Sequence, residues 1–170
     1  MKLDYCTECA APLTKVDETD YRCTNGHAYH NNPHASCSVV FLNDKNEILF
    51  AKRARQPKKG AYDLPGGFLN YDEDAYHAAQ REMKEELNVD IAIEDLDPID
   101  TALHYYLEND TASGITFLCR RWRGQMKRGD DTANFEWKPI EFLNTNEIAW
   151  PYPYLYNKLE SLVHHDTQRS

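Results

Sequence analysis

The chain has 170 residues, 41% hydrophobic and 12% aromatic, which suits one main domain with a real core and excludes a disordered polymer. Acidic residues outnumber basic ones by 28 to 19, and the resulting charge of −9 argues against a surface that grips long nucleic acid by its phosphates. A small anionic substrate remains compatible, because a bound divalent cation reverses the local sign.

The first residues, MKLDYC, carry one Lys and then Asp4, with no apolar run behind them. No signal peptide is therefore expected, no window approaches the ~20 apolar residues of a membrane span, and the expected location is cytoplasmic. Cys6-x2-Cys9, thirteen residues and Cys23-x3-His27 have the spacing of two knuckles closing on one tetrahedral Zn²⁺. Thiolate and imidazole suit that ion, and so short a polar segment needs such a staple to fold. Asn25-Gly26 forms a turn that brings His27 back toward Cys23, with His30 as the rival fourth ligand. Three of the five cysteines fall in this segment, as expected of a metal site in a reducing compartment. Cys37 and Cys119 lie in apolar runs and read as core.

The chain divides near NNPH (31–34), giving a zinc-binding module at 1–33 and a main domain at 34–170. SCSVVFL (36–42) and ILFAKRA (48–54) are predicted strands, and QPKKGAYDLPGG (56–67) a loop punctuated by Pro and Gly. Residues 73–87 lack Pro and Gly and form the predicted helix, with Ala75, Ala78, Ala79 and Met83 toward a sheet. Strands are predicted at 99–108 and 114–124, joined by the polar NDTAS, and at 136–143, before an amphipathic helix at 154–165. The order is mixed α and β, with one helix embedded among strands.

Glu82, Glu85 and Glu86 share one region of that helix, where like charges at such spacing repel. Lys84 points elsewhere, and Arg81 reaches Glu85 without neutralising the group. A hard divalent cation, Mg²⁺ or Mn²⁺, is the natural counter-charge. Gly66 and Gly67, ahead of the helix, let backbone approach a metal or ligand closely. From Gly67 the chain reads G, five residues, Glu73, seven residues, then REMKEELNV (81–89). This resembles the box of the Nudix family (MutT-like), G-x5-E-x7-R-E-U-x-E-E-x-G-U with U apolar, and Asn88 in place of Gly is the single departure. At the end of a helix a left-handed residue is wanted, and Asn is the next choice after Gly.

The resemblance implies an α+β Nudix fold, a mixed β-sheet between helices in an α/β/α sandwich, preceded by a zinc ribbon like that of NADH pyrophosphatase-type members. It implies hydrolysis of a nucleoside diphosphate linked to another moiety, with ADP-ribose, NAD(H) and dinucleoside polyphosphates as substrate types. In the family, residues matching Glu82, Glu85 and Glu86 bind Mg²⁺ or Mn²⁺, and those matching Glu73 and Arg81 pair and brace the loop. The proton acceptor is a box glutamate or a later carboxylate, for which Asp130, Asp131 and Glu136 are the candidates. Arg53 and Arg55 are candidate phosphate ligands beside Gly66 and Gly67. The SQPWPFP-like array of NADH pyrophosphatases is absent, since WPYPY (150–154) comes too late and lacks the pattern. Tyr105 and Tyr106 lie about where diadenosine-polyphosphate hydrolases place a tyrosine, the proline that ADP-ribose-type hydrolases often carry at that distance is absent, and Trp122, Trp137 and Trp150 offer stacking or packing surfaces. Alternatives to the leading reading are a nucleoside triphosphate pyrophosphatase and a nucleotide sensor without catalysis. Family members are commonly homodimers.

Overall fold

The computed structural model describes residues 4–108, 110–127 and 132–167. Asp130 and Asp131 lie outside the described residues. Near the N-terminus, β1 (Leu13–Lys15), β2 (Asp20–Cys23) and β3 (Ala28–His30) form a small antiparallel sheet. The remainder is built on β4 (His34–Phe41), β5 (Glu47–Arg53), β6 (Tyr62–Asp63) and β7 (Gly66–Phe68), followed by helix α1 (Ala75–Leu87). Then come β8 (Leu96–Leu107), β9 (Asp110–Cys119), β10 (Thr132–Pro139) and helix α2 (Leu155–Thr167). Strand orders are β7-β4-β9-β8 and β10-β5-β6, and β4 runs parallel to β9 while every other strand pair is antiparallel. The expected mixed β topology with flanking helices is therefore observed. Among the described residues, no helix is long and apolar enough to cross a membrane.

The unbroken apolar run in β4 has a direct cause. Its alternating side chains are buried on both faces, as in a strand covered on two sides. Val39 and Phe41 pack with Ala78, Ala79, Met83 and Leu87 of α1, whereas Val40 joins Phe50, Leu155 and Leu159 on the side of α2. Ala79, Met83 and Leu87 recur every fourth residue, which keeps them on one helical stripe.

Several boundaries differ from expectation, among them an earlier start of β8 at Leu96 and of β10 at Thr132. The stretch 56–67 contains β6 and the start of β7, both too short to show periodicity. The ladder of β9 begins at Asp110 and ends at Cys119, so the polar residues 110–113 pair with β8 and only Arg123 of the following segment is bridged, to Asp90. Strand β10 stops at Pro139, which has no N–H to offer, and residues 140–144 form a 3-10 turn rather than more strand.

Helix α1 starts at Asp74, whose carboxylate accepts from the amides of Tyr76 and His77. It ends at Asn88, at φ 56° and ψ 34°, in the left-handed region. The Asn88 amide closes on the Lys84 carbonyl (3.1 Å) and that of Val89 on Met83 (3.3 Å), and Val89 is then fully buried. Asn88→Ala should therefore lower stability by about 1 kcal/mol and Asn88→Gly leave it unchanged or higher, read from chemical denaturation midpoints.

Candidate metal and nucleotide site

Strand β7 lies against β4 with Gly67 opposite Cys37 and Gly66 opposite Ser38. Gly66 has φ +150°, and a β-carbon there would sit 2.2 Å from the Cys37 carbonyl oxygen and 2.7 Å from Ser38 Cα. A β-carbon on Gly67 would lie 2.3 Å from Glu82 Oε1. The Gly66 amide donates to Glu86 Oε2 at 3.0 Å. Backbone thus occupies the space a side chain would need, and two glutamates one helical turn apart rest against it.

Arg81 ties the loop to the helix. Its Nε donates to both Glu73 oxygens (3.2 and 3.1 Å), and Nη2 donates to Glu73 Oε1 (2.5 Å) and to the Phe68 carbonyl (3.0 Å). Nη1 reaches Glu82 Oε1 at 2.8 Å and Glu85 Oε2 at 3.3 Å. The expected Glu73–Arg81 pair is present, and Arg81 also spans two of the three box glutamates. These bonds, with the Asn70 amide, hold the Glu73 carboxyl down at about 2. Burial pushes the Glu82 carboxyl up, against the lowering effect of Arg81, and the negative charges of Glu85 and Glu73 add to the rise. Glu82 is 14% exposed and Glu85 60%, so Glu82 faces inward while Glu85 stands at the rim.

A cleft of about 470 Å³ is lined by Glu82 and Glu86 of this set. Arg53 and Arg55 also line the cleft, together with small side chains such as Ser36, Ser38 and Thr116. Arg53 Nε donates to the Pro57 carbonyl (2.9 Å), Nη1 lies 3.5 Å from Asp63 Oδ2, and the guanidinium carbon lies over the Trp150 ring, 4.6 Å from its centroid. Asp63 also accepts from the Tyr152 hydroxyl (2.7 Å) and its neighbour's amide (Leu64, 3.0 Å), yet burial pushes its carboxyl up to about 6.

Asp63 went unnoticed in the sequence because it sits in a two-residue strand among turn residues. Trp150 and Tyr152 of WPYPY are buried at the cleft wall. Trp150 is no open platform for a base, since Tyr106 stacks against it (5.3 Å, 16°) and Arg53 lies over its ring. Tyr106 lines the cleft, whereas Tyr105 is exposed, as strand alternation requires. Glu136 accepts from the Tyr62 hydroxyl at 2.8 Å and pairs with Lys138 at 2.6 Å, and it is absent from the cleft lining.

In the N-terminal sheet, ligand atoms of Cys6, Cys9, Cys23 and His27 all lie within 4.8 Å of one another. Cys6 Sγ is 3.5 Å from His27 Nδ1 and Cys9 Sγ 3.8 Å from Cys23 Sγ, spacings that fit ligands around one tetrahedral ion. Each knuckle, Cys6–Cys9 and Cys23–His27, sits on a turn, closed by Ala10 N–H to the Cys6 carbonyl and Gly26 N–H to the Cys23 carbonyl. His30 pairs instead with Asp20 at 2.5 Å. The Ala11 amide and then Asn25 draw the Cys9 thiol down to about 6, toward the thiolate that binds metal.

Gly67→Ala should leave a folded protein, because the atoms it meets are the movable end of Glu82, but should displace that carboxylate. Manganese binding read by electron paramagnetic resonance is expected to weaken roughly tenfold while the melting temperature changes little.

Comparison with known proteins agrees with this geometry. An ADP-ribose pyrophosphatase from Methanocaldococcus jannaschii is 32% identical over 121 residues, covering 68% of this chain and 65% of that protein, so the alignment spans somewhat less than two thirds of the relative's length. A NUDIX hydrolase from Nitrosomonas europaea has a similar fold, with TM-score 0.69 and 20% identity over 95% of this chain and 93% of that one. The NUDIX domain of NrtR from Shewanella oneidensis, solved with ADP ribose, gives TM-score 0.63 and 16% identity over 78% of this chain and 89% of that one. The NUDIX domain family itself matches residues 32–159, a span that takes in the glycine loop, α1 and the whole cleft. On that match the chain belongs to the Nudix family.

Proposed function

We propose that the protein is a divalent-metal-dependent pyrophosphohydrolase acting on a nucleoside diphosphate linked to another moiety, with ADP-ribose as the substrate type. The observation that carries this reading is the packing of Glu82 and Glu86 against Gly66 and Gly67 in the lining of an open cleft. Their oxygen donors suit Mg²⁺ or Mn²⁺, and the space beside Gly67 admits no side chain that would crowd them. Such an ion, when bound, neutralises charge on the pyrophosphate and makes water a usable nucleophile near neutral pH.

The chain's own groups do the rest. Arg81 orients Glu82 and Glu85 and, through Glu73 and the Phe68 carbonyl, keeps the loop closed on the helix. Arg53 and Arg55 offer positive charge to phosphoryl oxygens within the same cleft. One box carboxylate takes the proton of the attacking water, and cleavage of one P–O–P bond in ADP-ribose yields AMP and ribose 5-phosphate. ADP-ribose is preferred over the other substrate types because the Methanocaldococcus relative is named for it and the Shewanella domain was solved with it. Full retention of Arg81 and the three glutamates favours catalysis over a sensor's binding alone.

Residues 1–33 form a separate structural module in this reading, with Zn²⁺ held by Cys6, Cys9, Cys23 and His27, ahead of a Nudix domain at 34–170. All four positions are filled by protein ligands, which suits a structural ion rather than a catalytic one. Cysteines kept for metal suit a reducing, cytoplasmic setting.

A panel of ADP-ribose, NADH, diadenosine tetraphosphate and nucleoside triphosphates, assayed with Mg²⁺, Mn²⁺ and EDTA, tests the activity. ADP-ribose should be cleaved with a divalent ion and not in EDTA, and Glu86→Gln should cost at least roughly 100-fold in kcat. Cleavage of triphosphates alone would replace the proposed substrate, and unchanged turnover in both Glu85→Gln and Glu86→Gln would defeat the catalytic assignment. For the zinc module, purified protein should contain one equivalent of zinc by elemental analysis. Cys6→Ser should release it and lower the melting temperature, whereas His30→Ala should retain it.

A further inference from the structure

The WPYPY segment and Asp63 have no part in the metal site, yet both converge on Arg53. The Trp150 ring lies beneath its guanidinium, with Cζ 4.6 Å from the ring centroid, and Trp150 is itself fixed by Tyr106 on its ring and by its indole N–H, which donates to the Tyr105 carbonyl at 3.1 Å. Pro57 accepts from Nε and Asp63 from Nη1, so two edges of the guanidinium are taken by protein. Tyr152 donates to Asp63 at 2.7 Å and is itself 7% exposed. Among the described residues, the Nη2 amino group has no hydrogen-bond partner, and Arg53 lines the cleft. A flexible surface arginine would lose rotamer freedom on binding, whereas this one has lost it beforehand.

We infer that Asp63, Trp150 and Tyr152 are positioning residues that hold Arg53 as a preset anion subsite for a phosphoryl group of a nucleotide. The inference rests on the nucleotide reading of the cleft, and its chemistry is that of a nucleoside monophosphate or diphosphate. Arg53 supplies the donor, Trp150 sets its plane, and Tyr152 fixes the carboxylate that sets its rotation. With one face over Trp150 and with Nε and Nη1 engaged, Nη2 is the amino group left for an incoming oxygen. A point charge on a flexible stem could not be held this way, so Lys is no substitute for Arg at this position.

Two readouts separate this subsite from the assignment of ADP-ribose as substrate. The first is calorimetric binding of AMP in EDTA, where only protein groups act on the phosphate. Arg53→Lys should weaken AMP roughly tenfold, and Trp150→Leu and Tyr152→Phe roughly fivefold, while Trp150→Phe, which keeps a ring under the guanidinium, should restore most of the loss. The second is steady-state ADP-ribose hydrolysis with Mg²⁺, where the same variants should raise KM by similar factors and change kcat by less than about twofold. Each variant's melting temperature is recorded alongside. Lower melting temperatures with unchanged AMP affinity in Trp150→Leu and Tyr152→Phe would mean that the wall is structural only and would overturn the inference. If the unaltered protein leaves ADP-ribose intact, the substrate assignment falls, and the AMP series alone decides the subsite: the stated order supports it, and full affinity in Arg53→Lys overturns it.

Discussion

Between β4 and α1 there is no room for a β-carbon. Strand β7 passes through that gap on Gly66 and Gly67, pressed on one side by the Cys37 carbonyl and on the other by the Glu82 carboxylate. Everything at the cleft depends on this closeness. It lets the Gly66 amide reach Glu86, and it turns two helical glutamates toward backbone rather than water. The repulsion between those glutamates is then contained rather than removed. Arg81 spreads one positive charge over Glu73, Glu82 and Glu85, which orients them without satisfying them, and burial of Glu82 leaves its carboxylate short of solvation.

The cleft lining combines two kinds of side chain. Carboxylates suit a hard cation and arginine suits phosphoryl oxygens, so in the proposed reading a ligand carrying both a metal and a pyrophosphate can meet both. Ser36, Ser38 and Thr116 in the same lining are small. The N-terminal sheet is held by different physics. Its three short strands bury little apolar surface, Cys6 and Cys23 being its buried residues, and the clustered thiols and imidazole of Cys6, Cys9, Cys23 and His27 are a set that an ion would join in place of a core.

How much of this was legible in the sequence depended on whether the signal was local. The box could be read because helix spacing, loop glycines and the Arg81 position lie within one short stretch, and the left-handed cap at Asn88 followed from the same local rule. The cysteine knuckles were legible for the same reason, and geometry then separated His27 from His30. Asp63, Trp150 and Tyr152 were not, because their role depends on a contact between residues nearly ninety positions apart, which no periodicity reports. Trp150 drew notice as an aromatic, but which groups would cover its faces could be known only after folding. Strand ends were missed where polar residues pair: residues 110–113 look like a loop and yet continue a hairpin, since backbone pairing with β8 asks nothing of their side chains.

Strand β4 belongs to both cores at once, with Val39 and Phe41 toward α1 and Val40 toward α2, and it hydrogen-bonds β7 on one edge and β9 on the other. Any fluctuation that releases the glycine loop from its neighbour must therefore disturb a strand with no free side. Releasing the glycine loop should therefore cost nearly as much as opening the strand itself, and amide hydrogens of β4 are expected to be among the slowest to exchange. The glutamate-bearing part of the cleft is thereby tied to the stability of the core strand.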